Sequence, residues 1–174
     1  MVALIQQTFP TLRCTGMVLS LAWLLSGCEP PVSLPPEPRL TSIELLTSGE
    51  TGTLLLGFED GDGNFGLNQS DTTDAFCQGC PFHHNVFCEY QEWQDSAWVA
   101  IPLDPELGQV PFHYRAPLIA PTGQNKAQRG TITVELEPRY YLTSAYDTLR
   151  FAVHIVDRDL QSSDTLLTAA IRKP

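Results

Sequence analysis

Asp60, Asp62 and Asn64 place three oxygen-bearing side chains at alternate positions of one short segment. Gly61, Gly63 and Gly66 give that segment the backbone freedom to curl. A hard cation such as Ca²⁺ takes about six to eight oxygens, and loops of this style present them at positions 1, 3, 5, 7, 9 and 12. Counted from Asp60, the seventh position is the Gly66 carbonyl, the ninth is Asn68 and the twelfth is Asp71. The spacing therefore admits a structural Ca²⁺ loop of Asp60, Asp62, Asn64, Asn68 and Asp71. Against it, Phe65 stands at the sixth position, where glycine is usual, and Asp71 is shorter than the customary closing Glu. The flanks also read as strands, not as the helices of an EF-hand. The competing reading is a plain turn, since Asp-Gly and Gly-Asn are good turn formers.

A second cluster follows. Cys77-Gln78-Gly79-Cys80 is succeeded by His83, His84 and Cys88. Three thiolates and one imidazole, that of His83, would complete a tetrahedral zinc site. A C-x-x-C pair can also be a redox dithiol, but that chemistry wants a helix N-terminus, and Pro81 follows at once with no helical pattern after it. The third reading is one structural disulfide with one thiol left over. Closing Cys77 or Cys80 to Cys88 would contribute about 2.5–3 kcal/mol at most through loop entropy. The disulfide is the favoured reading and zinc the lesser alternative. His83 and His84 are adjacent, so on a strand they would face opposite ways. His113 and His154 stand singly in strand candidates and read as sheet-face residues, not ligands.

No catalytic constellation stands out. There is no G-x-S-x-G, no H-E-x-x-H and no phosphate-cradling glycine loop before a helix. Glu59 and Asp60 are neighbours in sequence, which does not make them a glycosidase pair. The reading is of a protein that is not an enzyme.

The elements that position these residues are short and apolar. Strand candidates are 40–47, 51–58, 85–93, 97–101, 112–115, 130–136, 148–156 and 165–171, rich in Val, Ile, Thr, Phe and Tyr. Ile132, Val134 and Leu136 face one way and their polar neighbours the other; Phe151, Val153 and Ile155 repeat the pattern. No stretch of ten or more residues shows a helical period beyond the N-terminal segment, and Pro102, Pro105, Pro111, Pro117 and Pro121 break up the middle of the chain. Seven or eight short strands with turn signals between them predict a single all-β sandwich, with no internal repeat and no second domain. In such a sandwich the loop 59–84 and the loop 157–164 lie at one end, which would make that pole acidic and loop-rich.

The N-terminal segment reads differently. An apolar run, Met17 to Leu25, ends in Leu25-Ser26-Gly27-Cys28 and then Glu29-Pro30-Pro31. The run is too short to span a bilayer and suits the core of a cleaved secretory signal. Small residues before a cysteine look like a lipoprotein signal, with Cys28 lipidated and made the new N-terminus. Arg13 is the sole basic residue before Cys28, an unusually charge-poor start, and Cys14 lies in the segment to be discarded. Five prolines between Glu29 and Arg39 favour extended polyproline geometry, a semi-rigid stalk of roughly 30 Å. The domain organisation is thus 1–27 signal peptide, 28–39 lipidated Pro-rich tether and 40–174 β-sandwich.

The chain carries 10 basic and 20 acidic residues, a net charge of −10. This excludes electrostatic binding of nucleic acid or of an anionic membrane surface. With 43% hydrophobic residues the composition is that of a folded chain. An oxidising compartment permits disulfides.

Four segments together resemble a family of uncharacterised lipoproteins from the Bacteroidota. They are Gly57-Phe58-Glu59-Asp60-Gly61-Asp62-Gly63-Asn64-Phe65-Gly66, Tyr114-Arg115-Ala116-Pro117-Leu118, Gly123-Gln124-Asn125-Lys126-Ala127-Gln128-Arg129-Gly130 and Ile155-Val156-Asp157-Arg158-Asp159-Leu160-Gln161-Ser162-Ser163-Asp164. The resemblance covers most of residues 40–172. It implies an immunoglobulin-like β-sandwich on a lipid anchor and implies no activity. The chain departs from it at residues 77–88, where aromatic or small residues would be expected in place of cysteines.

The expectation is a lipid-anchored envelope module that binds an envelope protein or a glycan, touches the membrane through its anchor and binds no nucleic acid. Its expected place is the periplasmic side, since no acidic run follows Cys28 as a surface-export signal would require. The alternative is a metal- or thiol-dependent envelope protein using Cys77, Cys80 and Cys88. Structural Ca²⁺ is the first cofactor to consider, zinc the second.

Overall fold

The alternation that marks 131–136 and 151–156 is realised as paired strands in a computed structural model, which describes residues 3–7, 33–103, 109–121, 125–136 and 141–174. The strands are β1 (Leu4–Gln7), β2 (Arg39–Ser48), β3 (Thr51–Asp60), β4 (Val86–Gln94), β5 (Ala97–Ala100), β6 (Phe112–Tyr114), β7 (Gln128–Glu135), β8 (Thr148–Ile155), β9 (Leu166–Leu167) and β10 (Ile171–Arg172). The 3-10 turn Asp74–Phe76 is the sole helical piece among the described residues.

Two antiparallel sheets form. The first has the order β1-β7-β3-β2. In the second, β4 is central. It pairs with β8 along one edge, and β5 and β6 share the other. β9 and β10 in turn share the outer edge of β8. The inward rows Leu54-Leu56-Phe58 of β3, Ile132-Val134 of β7, Val86-Cys88-Tyr90 of β4 and Leu149-Phe151-Val153-Ile155 of β8 meet in one buried core. Apolar burial of this kind is the main force closing a two-layer fold. The molecule is an all-β sandwich.

Two features depart from the strand reading. The candidate 165–171 is split in two by Thr168. Its backbone N–H donates to the Phe151 carbonyl at 2.9 Å. Its hydroxyl oxygen accepts the Phe151 N–H at 3.0 Å, standing in for a backbone carbonyl. The chain bulges past Ala169 and Ala170 and pairs again at Ile171. The other feature is β1, which lies within the segment read as a signal peptide. Leu4–Gln7 pairs with the outer edge of β7, and Ala3 beside it is buried. Cys28, the lipidation candidate, lies outside the described residues, as do Pro30 and Pro31. Packing of the tether begins before residue 40. Pro38 is buried, and the carbonyls of Leu34 and Pro35 come within 2.5 Å of where a Cβ on Gly61 would stand.

At the far end of β4 the inward row continues into Glu92, a carboxylate only 1% exposed. Its Oε1 accepts the Tyr90 hydroxyl at 2.9 Å and the Lys173 ammonium at 3.0 Å. Its Oε2 accepts the Ser144 hydroxyl at 2.8 Å and the Gln94 amide at 3.1 Å. Burial pushes the Glu92 pKa up, but these four donors, Lys173 foremost, outweigh it and hold it below the ordinary value of 4.5. The stabilisation is therefore complete above that value and is lost as the pH falls through the lower folded value. Lys173→Met leaves a buried carboxylate without its cation and should cost about 3 kcal/mol in urea unfolding at pH 7. The gap from wild type should narrow at pH 3; an equal gap at both pH values would show that the ion pair is not its source.

Candidate functional site

Beyond the last paired residues of β3 and β8, two loops meet at one end of the sandwich. Asp60 continues the inward row of Leu54, Leu56 and Phe58 and is wholly buried. Its Oδ2 accepts the Phe65 N–H at 2.8 Å. Asp157, only 1% exposed, accepts the Gln161 N–H at 2.8 Å through Oδ1. The second oxygen of each, Asp60 Oδ1 and Asp157 Oδ2, is buried without a hydrogen-bond partner, and so is Asn64 Oδ1. The Asn64 amide nitrogen ties the two loops together, donating to Asp62 Oδ2 at 3.1 Å and to Asp159 Oδ2 at 3.0 Å. Burial, then the charges of Asp62 and Asp157, push the Asp60 carboxyl up to about 6 against the pull of the Phe65 and Asn64 N–H groups. Burial likewise raises Asp157, with Asp62 and Asp159 adding to it.

The linear Ca²⁺ loop of the sequence reading does not form. Phe65 turns into the core and packs on Phe58 with ring centroids 4.9 Å apart. Asn68 and Asp71 are engaged with other partners. Asp71 Oδ2 caps the Asn68 N–H at 2.7 Å, and the Asp71 carboxylate pairs with Arg158. Asp60, Asp62 and Asn64 stay together and are joined by Asp157 and Asp159. Gly63 makes this possible. Its φ is +74°, and a Cβ there would stand 2.0 Å from the Lys126 carbonyl oxygen.

The long loop between β3 and β4 has little regular structure and is held by side chains that bond its backbone. Arg115 donates to the carbonyls of His83 at 2.6 Å, Asn68 at 2.8 Å and Asp71 at 2.7 Å. Asn85, buried, binds both backbone groups of Ala116. Gln128, also buried, donates to the carbonyls of Gly63 and Ile119. Each satisfies backbone groups that a buried loop would otherwise leave unpaired.

The cysteines do not cluster. Cys77 and Cys80 are bonded to each other within this loop. Cys88 lies on β4 in the inward row with Val86 and Tyr90, and its burial pushes the thiol pKa strongly up. His83 Nδ1 sits 3.2 Å from the Phe76 carbonyl. A bridge to Cys88 and a zinc site of Cys77, Cys80, His83 and Cys88 are both overturned, because the strand register commits Cys88 to the core. The signal was present in the sequence, where 86, 88 and 90 alternate. Among the described residues, no three His, Cys, Asp or Glu side chains stand grouped as metal ligands.

A surface that no sequence motif announced lies on the outward side of the second sheet. Phe87 of β4 stacks on His154 of β8 at 5.0 Å and meets His113 of β6 edge-on at 5.0 Å. His84 extends the row, 6.0 Å from His113. Burial holds all three imidazoles below the usual histidine range, His84 down to about 4, so they are neutral at pH 7. Further along β4, Gln91 donates to Glu89 at 2.6 Å and accepts from Arg150 at 2.8 Å. The Arg150 guanidinium lies 4.2 Å over the Trp98 ring, and Trp98 meets Trp93 at 5.2 Å. From Phe87 to Trp93 the row is about 20 Å long. A groove of about 650 Å³ follows its first half, past Phe87, Glu89, Gln91, His113 and His154. A recess of about 550 Å³ adjoins Trp93 and Trp98. Trp93 is 42% exposed.

No family model, no curated protein and no solved structure matches the chain.

Alkylation of the denatured, unreduced protein followed by peptide mapping should label Cys88 and leave Cys77 and Cys80 unlabelled. In the folded protein Cys88 should resist as well. Labelling of Cys77 with Cys88 protected would reverse the assignment.

Proposed function

We propose that this chain is a non-catalytic, lipid-anchored module of the cell envelope, of immunoglobulin-like fold and facing the periplasm, that binds an uncharged glycan across the outward face of its second sheet. The observation that carries the binding reading is the row of rings from His84 to Trp93, interleaved with Glu89, Gln91 and Arg150. The C–H face of a sugar ring is apolar and lies flat on an aromatic ring, whereas its hydroxyls need donors and acceptors at the ring edge. This surface offers both, in the manner of a binding site that is mostly apolar with a few placed polar groups. A net charge of −10 disfavours polyanions. The edge beside this face suits an added peptide strand poorly, since it consists of two short strands with prolines at 102 and 111 between them.

The strand order supports the immunoglobulin-like reading, with β2, β3 and β7 opposed to β4, β5, β8 and the split last strand. The Cys77–Cys80 bond suits a protein delivered to an oxidising compartment, as the lipoprotein pattern ending at Cys28 implies.

Two experiments test the reading. Affinity electrophoresis against neutral soluble polysaccharides should retard the protein. Trp98→Ala and Phe87→Ala should each weaken retention about tenfold, equal to about 1.4 kcal/mol, with little change in melting temperature. No retardation by any neutral polysaccharide would overturn the glycan reading. Separately, labelled palmitate fed to expressing cells should incorporate and should be lost in Cys28→Ala. Recovery of the unmodified, unprocessed chain from cytosol would overturn the anchor.

A further inference from the structure

The acidic pole is independent of the glycan face and asks for a ligand of a different kind. We propose that the loops after β3 and β8 together form a binding site for a hard divalent cation of the Ca²⁺ class, held by Asp60, Asp62, Asn64, Asp157 and Asp159. Three of these residues each hold a buried oxygen without a partner, Asp60 Oδ1, Asn64 Oδ1 and Asp157 Oδ2, and the two loops that carry them are tied by the Asn64 amide's bonds to Asp62 and Asp159. A buried acceptor left unmade is costly, and more so when it belongs to a carboxylate. Both buried aspartates are half satisfied in the same way. One oxygen accepts the N–H of Phe65 or Gln161, the N–H of Asn64 or Asp159 also acts on the carboxyl, and the other oxygen has no hydrogen bond.

The charge count points the same way. Asp60 feels the charges of Asp62 and Asp157, and Asp157 those of Asp62 and Asp159. Among the described residues no ion pair relieves them, since Arg158, although flanked by Asp157 and Asp159, turns to Asp71. The group that now stands between the rim carboxylates is the Asn64 amide nitrogen, bonded to both Asp62 and Asp159. Its oxygen is thereby left on the buried, unpartnered side.

A cation at this point would take the three open oxygens first. Asp62 and Asp159, half-buried and exposed, would then swing in from the rim to close the site. Water would supply the rest of the six to eight oxygens that Ca²⁺ accepts; Mg²⁺, which demands a tighter octahedron and keeps its water, fits this irregular two-loop set less well. In the present arrangement the carboxylates are not closed as a metal cage. Binding should therefore draw the two loops together and stabilise the fold by mass action.

The test uses the full chain, stripped with chelator and titrated with CaCl₂ by calorimetry and by thermal melting. One Ca²⁺ should bind per chain, with a rise in melting temperature that MgCl₂ at equal concentration reproduces only weakly. Asp157→Asn should weaken binding at least tenfold. Asp159→Asn, a change at an exposed position that cannot disturb the core, should weaken it severalfold and so keeps the proposal testable if the buried variant fails to fold. Asn68→Ala should leave affinity unchanged. Absence of any heat or melting shift at millimolar Ca²⁺ would overturn the proposal, leaving the pole to protons and water. So would a loss of binding in Asn68→Ala with none in Asp159→Asn, since that pattern belongs to a linear loop.

Discussion

The register of β4 against β8 is the constraint on which the rest of the molecule depends. Phe87 stands opposite His154, Cys88 opposite Val153, Tyr90 opposite Phe151 and Gln91 opposite Arg150. Even-numbered residues of β4 therefore build the core, and odd-numbered ones build the ring-lined outer face. A slip of one residue would exchange the two sets, driving Phe87, Glu89 and Gln91 inward and Val86, Cys88 and Tyr90 out. The core thus fixes the face. Tyr90, Phe112 and Phe151 lock together at ring distances of 5.2–6.2 Å on the inside. That packing holds the outward rings in one row, so the surface is preorganised by residues that never reach it.

The same logic is inverted at the acidic pole. There the strands have run out, and position is set by polar side chains reaching backbone groups. Asn85, Arg115 and Gln128 each bind main-chain atoms distant in sequence. Segments far apart in sequence, around Gly63, Ala116, Gln128 and Asp159, meet at this end. Leu67 exchanges hydrogen bonds with Ala116 and Leu118, Gln128 holds Gly63, and Asn64 reaches Asp159. Much of what distinguishes this chain from a generic sandwich is therefore spent on building one loop cluster.

The strands were legible because alternation is a local property. Ile132-Val134 and Phe151-Val153-Ile155 declare their inward face without reference to any neighbour. Cys88 was equally legible as a core residue, but two nearby cysteines invited a chemical reading that the alternation of 86, 88 and 90 should have overruled. The pairing of the acidic loop with 157–164 follows from topology, and the loops do meet. How the acidic loop folds could not be read, because Phe65 had first to be seen turning inward and Asp71 pairing with Arg158. The outer face was illegible for a stricter reason. His84, Phe87, His113 and His154 become neighbours only when three strands take up one register, and no window of sequence contains that information. Thr168 hid the break in the last strand, since a threonine in a β-rich run gives no sign that its hydroxyl will replace a carbonyl.

The two surfaces also differ in where they lie along the molecule. β2 begins at Arg39 beside Glu59, at the acidic end, and Leu34 and Pro35 pack against Gly61 there. From residue 33 onward the chain therefore enters the sandwich at the acidic pole, whereas β1 lies ahead of it on the outer edge of β7. The stretch from Cys28 to Ser33 can span at most about 20 Å, shorter than a stalk running to Arg39 would allow. A chain anchored at Cys28 would hold its acidic pole towards the membrane. β4 leads away from that pole, with Phe87 near it and Trp93 at the far end, so the tryptophan pair would stand outermost. In that orientation a cation at the pole would lie beside the anchor, and the ring-lined row would run outward from it along the domain. An anchor at Cys28, if the chain is lipidated there, would leave the acidic pole within about 20 Å of it, with the tryptophan pair on the side away from it.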